Sequence, residues 1–167
     1  NKIFKKYIKA SEDILVSSEF PKYKEAFGKF KKIIIIGNGG SNSIASHLSQ
    51  DMAKFHNKVS FSFSDPSMLT CFINDFGMSN AYVKFLEFYG DRNTLFILIS
   101  SSGMSKNVVN CVKYLEKNNL KYGVLTGFSN KNKVRVTSKR ALFNFHVKSK
   151  DYGVIECTHQ IFLHGLI

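Results

Sequence analysis

Four consecutive isoleucines, Ile33 to Ile36, run straight into Gly37. A β-branched run with no polar residue in it reads as a strand buried on both faces, because a half-exposed strand would alternate apolar with polar positions. Thr94 to Ile99 (TLFILI) is a second such run and Tyr122 to Thr126 (YGVLT) a third. Between them the apolar spacing turns helical. Ile44, Ala45, Leu48 and Met52 form one stripe from Ser41 onward, and Gly77 to Tyr89 and Ser105 to Asn118 also read as helices. Lys58 to Phe63 adds a strand closed by the Asp65-Pro66 break, Ala141 to Val147 (ALFNFHV) adds another by its alternation, and Tyr152 to Ile167 reads as a last helix. Buried strands alternating with helices predict an α/β fold, a three-layer α/β/α sandwich on a central, mainly parallel sheet.

Ahead of this core, Ile3, Phe4, Ile8, Ile14, Leu15, Phe20, Tyr23 and Phe27 recur at helical spacing, with a break near Pro21. The 167 residues carry no internal repeat or low-complexity tract, so residues 1–167 are read as a single domain: a helical segment over 1–30, then an α/β core over 31–167. Its last helix is expected to be cut short, and the start at Asn1 to follow a lost initiator segment. No run of about 18 apolar residues exists to span a membrane. Cys71, Cys111 and Cys157 are odd in number and lack a CxxC pair. They read as free thiols of a reducing cytoplasm, each a small buried apolar residue. The net charge is +12, and the lysines cluster loosely at Lys5-Lys6, 29–32 and 131–139. Lacking the interleaved aromatics of single-strand binders, they read as a solvated surface that helps attract an anionic substrate, which argues against a nucleic-acid partner.

Two loops carry the chemistry, since ligands of an open parallel sheet bind where strands lead into helices. Gly37-Asn38-Gly39-Gly40-Ser41 follows the isoleucine run; its glycines let backbone N–H groups approach a phosphate or sugar, and Ser41 is placed to cap the next helix. It is neither the dinucleotide GxGxxG, because Asn42 stands at the third glycine, nor a P-loop, because no Gly-Lys-Ser/Thr follows. Ser100-Ser101-Ser102-Gly103-Met104-Ser105 follows the TLFILI strand and offers four hydroxyls at a helix start, a phosphate cup that needs no cation. His47 and Asp51, four apart, share a helix face at a spacing that suits either a divalent metal or a surface ion pair. Glu156, Gln160 and His164 share a face of the last helix.

With IIGNGGS at Ile35 to Ser41, the helix bearing His47, the Asn74-Asp75 pair, the Ser100 to Ser105 cup and the terminal helix with His164, the chain resembles the SIS (sugar isomerase) domain family. Within that flavodoxin-like, Rossmann-like family it is most similar to the phosphoheptose isomerases, over nearly its whole length. The resemblance implies conversion of sedoheptulose 7-phosphate to a D-manno-heptose 7-phosphate for lipopolysaccharide or capsule heptose, in a cytoplasmic homotetramer with zinc in sites built across subunits. It implies a phosphate cup of Ser100, Ser101, Ser102 and Ser105. Asn38, Gly39, Gly40 and Ser41 would meet the substrate, and Asp75, otherwise an ordinary turn residue, would contact sugar hydroxyls. His47, Asp51, Glu156 and His164 occupy the zinc-ligand positions, Asp51 that of the catalytic base and His164 that of the acid. His159 matches a family histidine read as structural or interfacial.

The chain departs from the family pattern at four places: Asp51 stands for the usual Glu, Glu156 for Gln, Phe55 for an arginine and Gly153 for an aspartate. Ligation and proton transfer by the same side chains pull against each other, and the residues alone leave that open. Two other readings stay open: a non-catalytic SIS module that binds phosphosugar or regulates replication, and an isomerase of another phosphosugar. His47, an acidic residue at 51 and His164 together favour the enzyme.

Overall fold

A computed structural model describes residues 2–167. Two helices, α1 (Lys2–Leu15) and α2 (Phe20–Gly28), precede β1 (Lys32–Gly37). Then come α3 (Gly40–His56), β2 (Val59–Ser62), α4 (Pro66–Phe76), α5 (Met78–Tyr89), β3 (Thr94–Ser100) and α6 (Lys106–Lys117). The chain continues through β4 (Lys121–Thr126), α7 (Lys133–Thr137), β5 (Phe143–His146) and α8 (Tyr152–Leu166). All pairings are parallel, in the order β2-β1-β3-β4-β5. This is the flavodoxin-like order, in which the connections reverse direction between β1 and β3.

The isoleucine run explains the layering. Ile34 and Ile36 face one core with Phe96, Leu98 and Val124, covered by α4, α5 and α6. Ile33 and Ile35 face the other with Leu95, Ile97 and Leu125, covered by α3 and α8. Phe162 of α8, 1% exposed, stacks on Phe145 at 4.3 Å and meets Phe20 edge-on at 5.3 Å, fastening α2 and α8 to the sheet.

The structure differs from the sequence reading in several places. Asp65-Pro66 does not open a plain loop: Asp65 Oδ1 accepts from Met68 N at 2.8 Å and Pro66 sits in the first turn, so both start α4. Pro21 likewise lies in the first turn of α2, and the break falls just before it. Ser41 is not a cap; Gly39, at φ 53°, holds the N-cap position of α3, and Ser41 is buried in the first turn. Only Cys111 is a buried thiol, with burial pushing its pKa up, whereas Cys71 and Cys157 are exposed. Among the described residues no helix is long and apolar enough to cross a membrane.

His159 of α8 is fully buried, and its Nε2–H donates to the Thr126 carbonyl oxygen at 3.0 Å, so Nδ1 carries no proton and has no partner. Burial pushes this imidazole down to about 4. An unfolded chain, with a histidine pKa of about 6.5, takes up this proton where the folded one does not. The stabilising contribution is therefore complete above about pH 6.5 and is lost as pH falls towards 4, by about 3 kcal/mol in all. We expect urea midpoints to drop over that window and His159→Gln to flatten the drop; parallel pH profiles for the two chains would refute the assignment.

Candidate active site

β1 and β3 pair in register from Lys32↔Thr94 to Gly37↔Ile99, so the loops that leave them emerge side by side at the switch point of the sheet. The Tyr82 hydroxyl donates to the Gly37 carbonyl at 2.9 Å and fixes the end of β1; burial pushes that phenol up to about 12. Beyond it the loops are locked together by a reciprocal amide pair. Asn38 Nδ2 donates to Asn107 Oδ1 at 3.0 Å, and Asn107 Nδ2 donates back to Asn38 Oδ1 at 2.9 Å. Asn107 is 5% exposed, and its Oδ1 also accepts from Val108 N at the start of α6.

The locked loops enclose a cavity of about 170 Å³, lined by Asn38, Ser41, Ser100, Ser101, Ser102, Ser105, Ile99, Tyr152 and Glu156. It is smaller than the roughly 300–1,000 Å³ of a typical ligand pocket, so it suits one end of a ligand. Ser100 Oγ accepts from Gly103 N and Ser102 Oγ from Met104 N, both at 3.2 Å, which shapes the loop. Ser101 Oγ is buried with no protein partner, although buried hydroxyls are as a rule bonded. Ser105 is the N-cap residue of α6, and its side chain makes no capping bond. Hydroxyls and a helix N-terminus thus converge without any Lys, Arg or His in the lining.

A second, shallower cavity of about 540 Å³ lies across Gly39, lined by Asn42, Ser43, Ser46, His47, Gln50 and Ser64. At its edge, His47 Nε2 lies 3.3 Å from Asp51 Oδ2, one helical turn on, and the His47 and His164 rings are 5.5 Å apart edge-on. One donor atom from each of His47, Asp51 and His164 falls within 4.8 Å of the other two. Asp51 is half-buried while both histidines are exposed, so the trio is accessible. Three N/O ligands with an open position is the donor set of a catalytic zinc site, and the residues fit such an ion.

Glu156 is not in this group. It and His164 share a face of α8, but eight residues put them about 12 Å apart along the helix axis. Its carboxylate instead lies on Gly40: a Cβ built there would meet Glu156 Oε1 at 2.6 Å. Asp75 is exposed in the last turn of α4 and not in a turn; it accepts from Asn74 Nδ2 at 3.0 Å and from the Cys71 thiol, and lines neither cavity. Two residues of the site escaped sequence reasoning. Asn107 matters through a partner 69 positions away, which no local pattern announces. Tyr152, whose ring meets Phe128 at 4.7 Å, looks like any first residue of a helix.

No family model matches the chain. A phosphoheptose isomerase of Fusobacterium nucleatum is 30% identical over 171 residues, covering 99% of this chain and 86% of that protein. The chain belongs to the phosphoheptose isomerase family. The solved structure of phosphoheptose isomerase GmhA from Neisseria gonorrhoeae superposes with a TM-score of 0.85 at 26% identity, over 99% of this chain and 92% of that one. A phosphoheptose isomerase from Francisella tularensis shares the fold, with a TM-score of 0.84 at 21% identity over 99% and 93% of the two chains.

The amide pair yields a prediction. Asn107→Ala leaves the Asn38 amide without its partner and frees the first loop from the second. We expect a loss of about 1–3 kcal/mol in urea denaturation, together with weaker phosphosugar binding by calorimetry. Wild-type affinity in a folded Asn107→Ala chain would show that the pair does not organise the site.

Proposed function

We propose that the chain interconverts sedoheptulose 7-phosphate and D-glycero-D-manno-heptose 7-phosphate, supplying heptose for lipopolysaccharide or capsule in the cytoplasm. The observation that carries this reading is the convergence of His47, Asp51 and His164 from α3 and α8, the two helices that also bring Ser41, Tyr152 and Glu156 to the serine cavity. A module that only binds sugars has no need of an acid–base trio there.

The phosphate is held by Ser100, Ser101, Ser102 and Ser105 at the start of α6, and Asn38, Gly39, Gly40 and Ser41 position the sugar. The reaction moves one proton between C1 and C2 through a cis-enediol. Asp51 takes the proton from carbon, and His164 supplies one to the carbonyl oxygen. Hydrogen-bond donors around the oxygens stabilise the enediolate charge as it develops. His47, Asp51 and His164 would hold zinc, which when bound polarises the sugar oxygens. The trio is close enough to serve either purpose, and a carboxylate has two oxygens to divide between them.

We further infer a homotetramer. Phe4, Ile8, Leu15 and Val16 on and just after α1 are more than half exposed, a large apolar area for a solvated helix. Light scattering should return four times the chain mass; a monodisperse monomer at micromolar concentration would exclude it.

Turnover is tested by incubating the purified chain with sedoheptulose 7-phosphate and following the heptose 7-phosphate by NMR, with and without zinc. Asp51→Asn and His164→Ala are each expected to lower kcat by about 10²–10⁴-fold while phosphosugar still binds. Binding without turnover in the wild-type chain would make it a non-catalytic module.

A further inference from the structure

The serine cavity has an unusual charge balance. Apart from the Tyr152 phenol, the only ionisable side chain in its lining is an acid, Glu156. That carboxylate rests on Gly40, the first residue of α3, where a helix N-terminus favours negative charge. Two helix N-termini, those of α3 and α6, therefore meet at the cavity. Glu156 sets a carboxylate beside the first, while at the second the Ser101 hydroxyl has no protein partner and the Ser105 side chain makes no capping bond. A carboxylate also accepts hydroxyl hydrogens well, and these bonds are stronger than those to a neutral amide.

We propose that Glu156 sets the charge pattern of the substrate. It admits one phosphate on an uncharged polyol, takes a hydroxyl near the phosphate onto its carboxylate, and turns away phosphosugars that carry a second acid group close to the phosphate, such as aldonate phosphates. This rests on the phosphosugar reading above and adds the selectivity to it. Gly40 belongs to the same device. A side chain at position 40 would occupy the place of the Glu156 carboxylate, and the displaced group is the far end of a flexible chain, so the fold survives the change.

The test is NMR titration of the purified chain with inorganic phosphate, glycerol 3-phosphate and 3-phosphoglycerate. The last two share a skeleton and differ by a neutral CH₂OH against a carboxylate. Like charges about 5 Å apart in a partly solvated pocket change binding by roughly tenfold or more. The wild-type chain should therefore favour glycerol 3-phosphate over 3-phosphoglycerate by at least about tenfold. Glu156→Gln and Gly40→Ala should each shrink that ratio several-fold, and Gly40→Ala carries the test alone if Glu156→Gln fails to fold. An unchanged ratio in the folded variants, or equal affinities in the wild type, overturns the proposal while leaving the phosphosugar site intact. Binding of none of the three probes overturns the site and the proposal together.

Discussion

Gly37 at the end of β1 lies in register with Ile99 near the end of β3, and the site follows from that pairing. Because the helix after β1 returns the chain to β2 on one side while later crossovers lead away on the other, β1 and β3 are neighbours whose following helices diverge. Two helix N-termini are left facing one crevice. The pairing is held by hydrophobic burial on both faces of the isoleucine run and is therefore about as rigid as anything in the molecule. The Asn38–Asn107 pair then ties the first loop, which has no regular structure of its own, to the start of α6.

A site made of amides and hydroxyls differs in kind from one made of lysines. Its donors are fixed by backbone geometry, carry only partial charges and cannot be lost to titration near neutrality. The chain carries 24 Lys and Arg, yet none lines the serine cavity. The excess of positive charge acts at long range, where screening by salt within about 10 Å limits it to attracting anions. Under the proposal, selection among those anions would fall to the hydroxyls and to Glu156.

Sheet, layers and both ligand loops were legible because each is written locally: a strand buried on both faces needs an unbroken apolar run, and a close-approach turn needs glycine. The i,i+4 relation of His47 to Asp51 was legible for the same reason, being one helical turn. What was not legible involved distance along the chain. Glu156 and His164 share a helical face, but periodicity gives the angle around the axis and says nothing about which neighbour covers each turn. Glu156 meets Gly40, and His164 meets His47. Without the resemblance Asp75 reads as a turn residue, because the capping signal of the helix from Pro66 to Phe76, Asp65-Pro66, also serves as a loop signal.

The departures at positions 51 and 156 belong to one argument. An aspartate at 51 is about one methylene shorter than a glutamate, and it keeps one oxygen 3.3 Å from His47 Nε2. Under the proposed assignment only its other oxygen can serve the substrate, and the reacting carbon must come to it. The ligand must then be anchored firmly enough at its far end to hold C1 and C2 within reach, because a shorter base tolerates less positional error. Under the same proposal the serine cup would fix the phosphate, and a carboxylate at 156 holding a hydroxyl of the sugar would add a second fixed point. A polyol held at two points loses rotational freedom before the proton moves. On that proposal the acid at 156 would offset the short reach of the acid at 51.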